Sequence, residues 1–208
     1  MEATDQTALP IRSLKALAAA EAACTRCPLY KDATQVVPGE GSTHARLLLL
    51  GEQPGDQEDL AGKPFVGPAG RVLDKALQEA GITRDDAFVT NAVKHFKHEM
   101  RGKRRLHKKP NAYEIERCKW WLDQERAIIK PAAIVALGAS AARSLFGRTV
   151  TISKMRGEPH PLADGTAAFV TIHPSWLLRI EDEADKELEY RNFVTDLNRA
   201  ARTLAQAA

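Results

Sequence analysis

The sequence predicts one α/β domain in which helices flank a central, mainly parallel sheet of four strands. Short continuous apolar runs, typical of strands buried on both faces, alternate along the chain with segments of helical periodicity. A length of 208 residues suits a single domain with a substantial core, and 44% hydrophobic residues against 27% charged ones is ordinary for a globular protein. We therefore expect a single domain over 1–208, with its core at about 24–203.

The predicted elements follow one another in an alternating order. Strands are predicted at Arg46–Leu50, Ala87–Val93, Ala132–Leu137 and Ala167–Ile172. Helices are predicted at Ser13–Ala23, Arg71–Ala80, Asn111–Ile129, Ala139–Phe146 and Asp182–Ala205. Gly81 and Pro131 stand where two of the helices should stop. This alternation favours a doubly wound parallel sheet.

Three of the four predicted strands end in unusual polar segments, at Gly51–Gly55, Lys94–Lys109 and His173–Ser175. The carboxyl ends of parallel strands lie along one edge of the sheet, and in open α/β folds ligands bind beyond that edge. The sequence therefore predicts the active site there.

The charge distribution and the cysteines narrow the class of protein. The formal net charge is only +3, yet eight cations and one acid lie between Lys94 and Lys109. A local basic patch of this kind indicates an anionic partner. The sequence has no apolar run of membrane-spanning length and no secretory pattern, and three cysteines make a poor disulfide framework. We expect a cytoplasmic monomer without membrane association.

The cysteines form a candidate metal site. Cys24 and Cys27 have the Cys-x-x-Cys spacing that lets two thiolates hold one metal or cluster. Cys118 could add a third ligand, and His95, or in second place His98, could add a fourth. From the residues alone, this set would usually indicate zinc. A reduced cysteine pair with an unrelated core cysteine is the alternative, whereas a thioredoxin-type motif is disfavoured because this pair follows a helix.

The turn after the first strand is the next candidate. It reads Gly51, Glu52, Gln53, Pro54, Gly55 and Asp56. Its glycines allow close approach of a ligand to the backbone, while Glu52 and Gln53 supply an acid or base and an amide. It lacks the pattern of a phosphate-binding loop. A tight turn with solvent-facing polar groups is the alternative.

Three further residues could recognise a planar ligand. Phe65, in a loop rich in glycine and proline, could stack on a nucleobase, and the Asn91 amide complements an imide edge. His173 could donate to a developing oxyanion at a strand end. Each residue also has a structural interpretation, as a core aromatic, a satisfied buried amide and a structural histidine.

The segment Lys103, Arg104, Arg105, Leu106 and His107 joins a run of cations to one histidine. The cations are a natural site for phosphate, and the imidazole can act as base, ligand or nucleophile. Taken alone, the segment is equally typical of a solvated basic loop.

Together these motifs closely resemble the uracil-DNA glycosylase superfamily, in particular its bacterial branch that contains iron and sulfur. The resemblance rests on the Cys-x-x-Cys pair, Gly51–Gly55, Gly62–Gly70, Thr90–Lys94 and His173–Ser175, and it runs from about Cys24 to the C-terminal helix. The first turn and the segment Lys103–His107 are similar to those of the X-type enzymes, which become covalently joined to their DNA.

The resemblance implies a [4Fe-4S] cluster of structural role. Its ligands would be Cys24, Cys27, His95 and Cys118. Ordinary members of the branch carry a cysteine at the place of His95, so the histidine is a departure from the family pattern.

The resemblance also implies roles for the strand-end residues in removing uracil from DNA, preferably single-stranded DNA. Phe65 would stack on the flipped base, Asn91 would bind its imide edge, and His173 would stabilise the leaving uracil. The residues that would help hold the base and sugar are Gly51, Gln53, Pro54, Gly55 and Asp56.

The remaining roles that the resemblance implies concern the covalent bond between the protein and the DNA. His107, assisted by Glu52, would bond to the sugar carbon C1′. The phosphates would be bound by Lys103, Arg104 and Arg105. An ordinary multiple-turnover glycosylase and a non-catalytic sensor of uracil in DNA are the alternatives.

Overall fold

The computed structural model describes residues 11–206, so the first ten and last two residues of the predicted domain lie outside the described part. Within this part, the strands are Leu47–Gly51 (β1), Ala87–Asn91 (β2), His98–Arg101 (β3), Arg104–His107 (β4), Ala133–Leu137 (β5), His160–Pro161 (β6) and Ala167–Thr171 (β7). The helices are Leu14–Glu21 (α1), Asp56–Ala61 (α2), Pro68–Glu79 (α3), Ala112–Ile129 (α4), Ala139–Phe146 (α5), Ile152–Met155 (α6), Pro174–Leu177 (α7) and Glu183–Gln206 (α8).

The main sheet has five strands in the order β2-β1-β5-β7-β6. The four predicted strands are parallel to one another, and β6 pairs antiparallel with β7 at the edge. The prediction of a four-stranded sheet was therefore wrong by one strand. The two residues of β6 are too few to show a strand pattern, and their assignment depends on pairing with β7.

Two hydrophobic layers cover the two faces of the sheet. One face packs against α3, α7 and α8, and the other packs against α4 and α5. Every residue of β1, β2 and β5 is buried, as expected for central strands covered on both sides. Among residues 11–206, the helices are all too short or too polar to span a bilayer.

The parallel register aligns the strand ends that carry polar residues. Gly51, the last residue of β1, pairs with Asn91, the last residue of β2. Leu137 of β5 pairs with Thr171 of β7, so Gly138 and His173 follow at the same edge. The predicted meeting of the polar strand ends is present in the fold.

The segment Lys103–His107 is not a loop, as the sequence suggested, but largely a strand. Its residues Arg104–His107 pair antiparallel with His98–Arg101, and Gly102 and Lys103 form the turn between them. Gly102 has φ 61°, a left-handed conformation that glycine adopts without steric cost. Charged residues on both strands conceal the hydrophobic alternation that normally reveals a hairpin.

Candidate active site at the carboxyl edge of the sheet

Gly51, Asn91 and Phe65 meet where β1 and β2 end. A methyl group added to Gly51 would come within 2.3 Å of Asn91 Oδ1 and 2.6 Å of Phe65 Cζ, which shows how closely these three residues approach. The ring of Phe65 stacks on the imidazole of His173, with centroids 5.9 Å apart and planes at 30°. The predicted base-binding residues are therefore neighbours.

The side-chain oxygen of Asn91 is buried without a hydrogen-bond partner among the described residues. An unpaired buried acceptor costs about 1–3 kcal/mol, so it is rare unless a ligand satisfies it. The structural interpretation of Asn91 as a satisfied amide therefore has no support from the described contacts. An open acceptor beside an aromatic ring suits a planar ligand that carries an N–H group.

Phe65 is held in a strained backbone conformation. Its φ is 56°, which is unusual for a bulky residue. The chain returns closely past it, since a Cβ on Gly70 would lie 1.7 Å from the Phe65 carbonyl oxygen. Glu58 joins this loop to the first turn, because its carboxylate accepts from the N–H groups of Gly55 at 3.1 Å and Gly67 at 2.7 Å. Such local strain persists where the surroundings hold it, often at ligand sites.

Glu52 and His107 form the polar part of the site. His107 Nε2 lies 3.3 Å from Glu52 Oε1, and the Ser140 hydroxyl donates to Glu52 Oε2 at 2.5 Å. Burial alone would raise the pKa of Glu52, but hydrogen bonds from His107 and Ser140 outweigh it and lower this pKa below its usual value. Glu52 is therefore a carboxylate at neutral pH, beside an imidazole whose side chain remains 50% exposed.

His173 is a neutral imidazole of defined tautomer. Its Nδ1 accepts from the backbone N–H of Ser175 at 3.2 Å, so the proton is assigned to Nε2. Burial lowers the pKa of His173 to about 4, against an opposing effect of Glu52. Arg179 supports this arrangement by donating to the Ser175 hydroxyl at 2.9 Å. A neutral donor beside Phe65 and Asn91 can bind a carbonyl oxygen as it gains charge.

The depressed pKa of His173 predicts a specific loss of stability in acid. Below about pH 6.5 the unfolded chain binds a proton on this imidazole, whereas the folded protein resists protonation until about pH 4. Falling pH across this window therefore favours unfolding, by about 2 kcal/mol at pH 5 relative to pH 7. Urea unfolding at pH 7 and pH 5 should show this fall in the free energy of unfolding. In His173→Gln the fall between the two pH values should be smaller by about 2 kcal/mol. An equal loss in both proteins would contradict the assignment.

Two predicted ligand-binding residues instead contact the hairpin formed by β3 and β4. Gln53 bonds to the backbone of Lys97 and Lys108, and Asp56 pairs with Arg105 at 2.6 Å. Arg105 also pairs with the buried Asp59 at 2.5 Å, so its guanidinium is engaged within the protein. The other two predicted phosphate-binding residues, Lys103 and Arg104, are exposed at the hairpin tip.

The three cysteines are free, buried and close to one another in a separate hydrophobic cluster between α1 and α4. The Trp121 indole donates to Cys24 Sγ at 3.1 Å, and the Lys94 backbone N–H donates to Cys118 Sγ at 3.2 Å. Burial raises the pKa of Cys118 to about 12. Buried sulfurs that accept N–H hydrogen bonds are a suitable environment for an iron–sulfur cluster.

The fourth predicted ligand, His95, is buried directly after Lys94 on the same chain segment. Burial lowers its pKa, against an opposing effect of Asp59. Within residues 11–206, no three His, Cys, Asp or Glu side chains lie close enough to hold a single metal ion. Buried cysteine thiols and a neighbouring buried imidazole are donor types that iron–sulfur clusters use.

Ser140 is a site residue that sequence reasoning missed. It is 2% exposed and is the second residue of α5, two positions after Gly138, whose φ of 91° turns the chain from β5 into the helix. A strand followed by Gly-Ala-Ser at the active edge was the available signal. Serine is too common at helix starts for that signal to be specific.

Comparison with known proteins agrees with this geometry. A family model described as the uracil DNA glycosylase superfamily matches residues 38–198. The Type-4 uracil-DNA glycosylase of Thermotoga maritima is 42% identical over 158 residues, 75% of this chain and 78% of that protein. The Type-4 enzyme of Pyrobaculum aerophilum is 36% identical over 178 residues, 79% of this chain and 86% of that protein. The family prediction is thus confirmed: the chain belongs to the uracil-DNA glycosylase superfamily and is an enzyme of that class.

Proposed function

We propose that this protein excises uracil from DNA, with a preference for single strands, and then remains bonded to the abasic sugar through His107. The observation that carries the proposal is the contact of the His107 imidazole with Glu52, 3.3 Å away, at the edge where the base-binding residues meet. A nucleophile at this position competes with water for the sugar as soon as the base leaves.

Phe65 and Asn91 select uracil by stacking and by hydrogen bonding. Phe65 stacks on the flipped base, and the open Asn91 oxygen accepts the imide N–H of uracil. Gly51 is required because any side chain there would collide with Asn91 and Phe65, the two residues that bind the base in this proposal. A base in single-stranded DNA is already unpaired, which saves a few kcal/mol of unpairing energy and favours that substrate.

The glycosidic bond breaks toward an oxocarbenium-like sugar and a uracil anion. The neutral His173 donates its Nε2 proton as a hydrogen bond to the uracil carbonyl oxygen where negative charge develops. The Glu52 carboxylate stabilises the positive charge on the sugar side. Asn91 thus accepts from the uracil imide, His173 donates to the uracil oxygen that gains negative charge, and Glu52 faces the positive charge on the sugar.

Capture then forms one bond and moves one proton. A ring nitrogen of His107 attacks C1′ with its lone pair as the bond from C1′ to uracil N1 breaks. The resulting imidazolium loses its N–H proton, for which Glu52 is the neighbouring acceptor, and uracil finally gains one proton. The product imidazole is a poor leaving group, so each protein molecule acts once.

The hairpin of β3 and β4 holds the DNA strand. Lys103 and Arg104, exposed at its tip, pair with phosphates that flank the uracil. Arg105 fixes the hairpin to Asp56 and Asp59, and so contributes to phosphate binding only indirectly.

In this proposal Cys24, Cys27, Cys118 and His95 would hold a [4Fe-4S] cluster. These residues come from the loop after α1, from α4 and from the segment after β2, so a bound cluster would link these parts of the chain, and excision would need no electron from it. Purified protein should be brown, with about four iron and four sulfide per chain, and Cys118→Ala should lose both. A colourless protein containing zinc would overturn this assignment.

A denaturing gel tests the function. Protein incubated with a uracil-containing single-stranded oligonucleotide should give a species that survives boiling in detergent, in amounts limited to one per protein molecule. The same sequence with thymine should give none. Free abasic DNA with repeated turnover would instead indicate an ordinary glycosylase, and reversible binding without base release would indicate a sensor.

A further inference from the structure

The side chain of Gln53 is committed to the base of the hairpin that carries His107. Gln53 is only 7% exposed. Its Nε2 donates to the carbonyl oxygens of Lys97 at 3.1 Å and Lys108 at 3.2 Å, and its Oε1 accepts from the Lys97 N–H at 3.2 Å. Both ends of the amide are therefore engaged with backbone.

These contacts replace a missing bond of the hairpin ladder. His98 faces His107 across the hairpin, so the next pair toward its base is Lys97 and Lys108. Such an antiparallel pair normally exchanges two hydrogen bonds. One is present, from Lys108 N–H to the Lys97 oxygen at 3.0 Å. The atoms of the other, Lys97 N–H and the Lys108 oxygen, each bond to Gln53 instead.

Gln53 is thus built into the ladder one residue from His107. Its sequence neighbour Glu52 contacts the imidazole of His107, while Gln53 holds the backbone beside it. Two consecutive residues at the end of β1 therefore define both the position of the His107 backbone and the position of its ring. An amide used in this way has no free donor to bind a base or sugar.

We propose that Gln53 is a positioning residue that decides how the sugar cation is partitioned between His107 and water. The inference rests on the proposed covalent capture and assigns Gln53 a role other than base binding. Capture requires a ring nitrogen close to C1′ when uracil leaves, whereas a hydrolytic outcome needs only space for water. A loosened hairpin base keeps excision but lets water arrive first.

The hairpin keeps a second anchor when Gln53 is altered. Arg105, two residues before His107, remains paired with Asp56 and Asp59, and it donates to the Thr34 hydroxyl at 2.9 Å. Its guanidinium also lies over the Phe96 ring, 5.5 Å from the centroid. Loss of the Gln53 contacts should therefore loosen the base of the hairpin without unfolding it.

The test measures total uracil release and covalent adduct in the same quenched samples. Gln53→Met keeps the length of the side chain and removes its amide donor and acceptor. Gln53→Glu keeps an acceptor for the Lys97 N–H but places its second carboxylate oxygen against the carbonyl oxygens of Lys97 and Lys108, which repel it. For Gln53→Met we expect total uracil release within about three-fold of the original protein, while the fraction converted to adduct falls at least ten-fold. The adduct fraction of Gln53→Glu should fall at least as far, with the same limit on uracil release. Gln78→Met, an exposed change on α3, is the matched control and should leave both quantities unchanged.

Hydrogen exchange gives a readout that does not depend on activity. The Lys97 amide should exchange faster in Gln53→Met, with the α4 and β1 amides unchanged, which also establishes that the variant is folded. An unchanged adduct fraction in both variants would overturn the inference while leaving covalent capture intact. So would a parallel loss of excision and adduct in folded variants, since that would return Gln53 to base binding. Absence of adduct in the original protein would instead refute capture itself.

Discussion

Replacing His107 with serine is expected to abolish the covalent adduct while leaving measurable uracil release. Serine is too short to reach C1′ from β4, and its smaller side chain makes room for water beside Glu52, the neighbouring carboxylate. The protein should therefore change from one that acts once and stays bonded to DNA into a glycosylase that releases abasic DNA repeatedly. Adduct should fall by at least 100-fold on a denaturing gel, and released uracil should exceed one per protein molecule.

The control for this change is His44→Ser, an exposed histidine outside the site. It should form adduct like the original protein. Loss of all uracil release in His107→Ser would show that His107 is needed for bond cleavage and acts as a base, which would contradict its role as a competitor of water.

Replacing Asn91 with leucine should reduce uracil excision by on the order of 100-fold or more without lowering stability. The change removes the acceptor for the imide N–H, and sites built around a hydrogen bond lose this much when it is absent. Because Asn91 Oδ1 has no partner among the described residues, folding gives up no bond from this atom. Single-turnover uracil release and the midpoint of thermal unfolding measure the two effects.

Asn111→Leu should have the opposite effects to Asn91→Leu on stability and on excision. The Asn111 side chain caps α4 by accepting from the Glu114 N–H at 2.9 Å, so its loss should lower stability by about 1 kcal/mol and leave excision unchanged. A fall in the unfolding midpoint of Asn91→Leu as large as that of Asn111→Leu would indicate that Asn91 is a structural amide after all.

Much of the fold was predictable because its central strands are uniform. β1 reads as four consecutive leucines and a glycine, so its burial on both faces follows from composition alone. Helix α4 was predicted at Asn111–Ile129, and the structure has it at Ala112–Ile129, where Asn111 and Glu114 form a capping box at its start. β6 was not predictable because its two residues are too few to form a pattern. The hairpin of β3 and β4 was not predictable because charged residues obscure its hydrophobic alternation.

The chemistry at the strand ends follows the same division. The residue types of Glu52, Asn91, His107 and His173, and their positions near the ends of predicted strands, indicate a candidate site at one edge of the sheet. The base and the sugar as its ligands are implied by the family resemblance. No local pattern indicates that Gln53 completes a β-ladder or that Arg105 pairs with Asp59, since these partners are 44 or more residues apart in the chain. A long polar side chain can reach many partners, and sequence does not select among them.

From the sequence, periodicity and strand direction predict the order of the elements and the edge at which the polar groups meet, while the shared motifs indicate the family. Tertiary contacts distinguish the polar side chains that are left open from those that hold the protein together. Asn91 and Gln53 both offer an amide near one strand end. The first is left with an open acceptor and the second is fully bonded, and that difference depends on backbone brought in from distant parts of the chain.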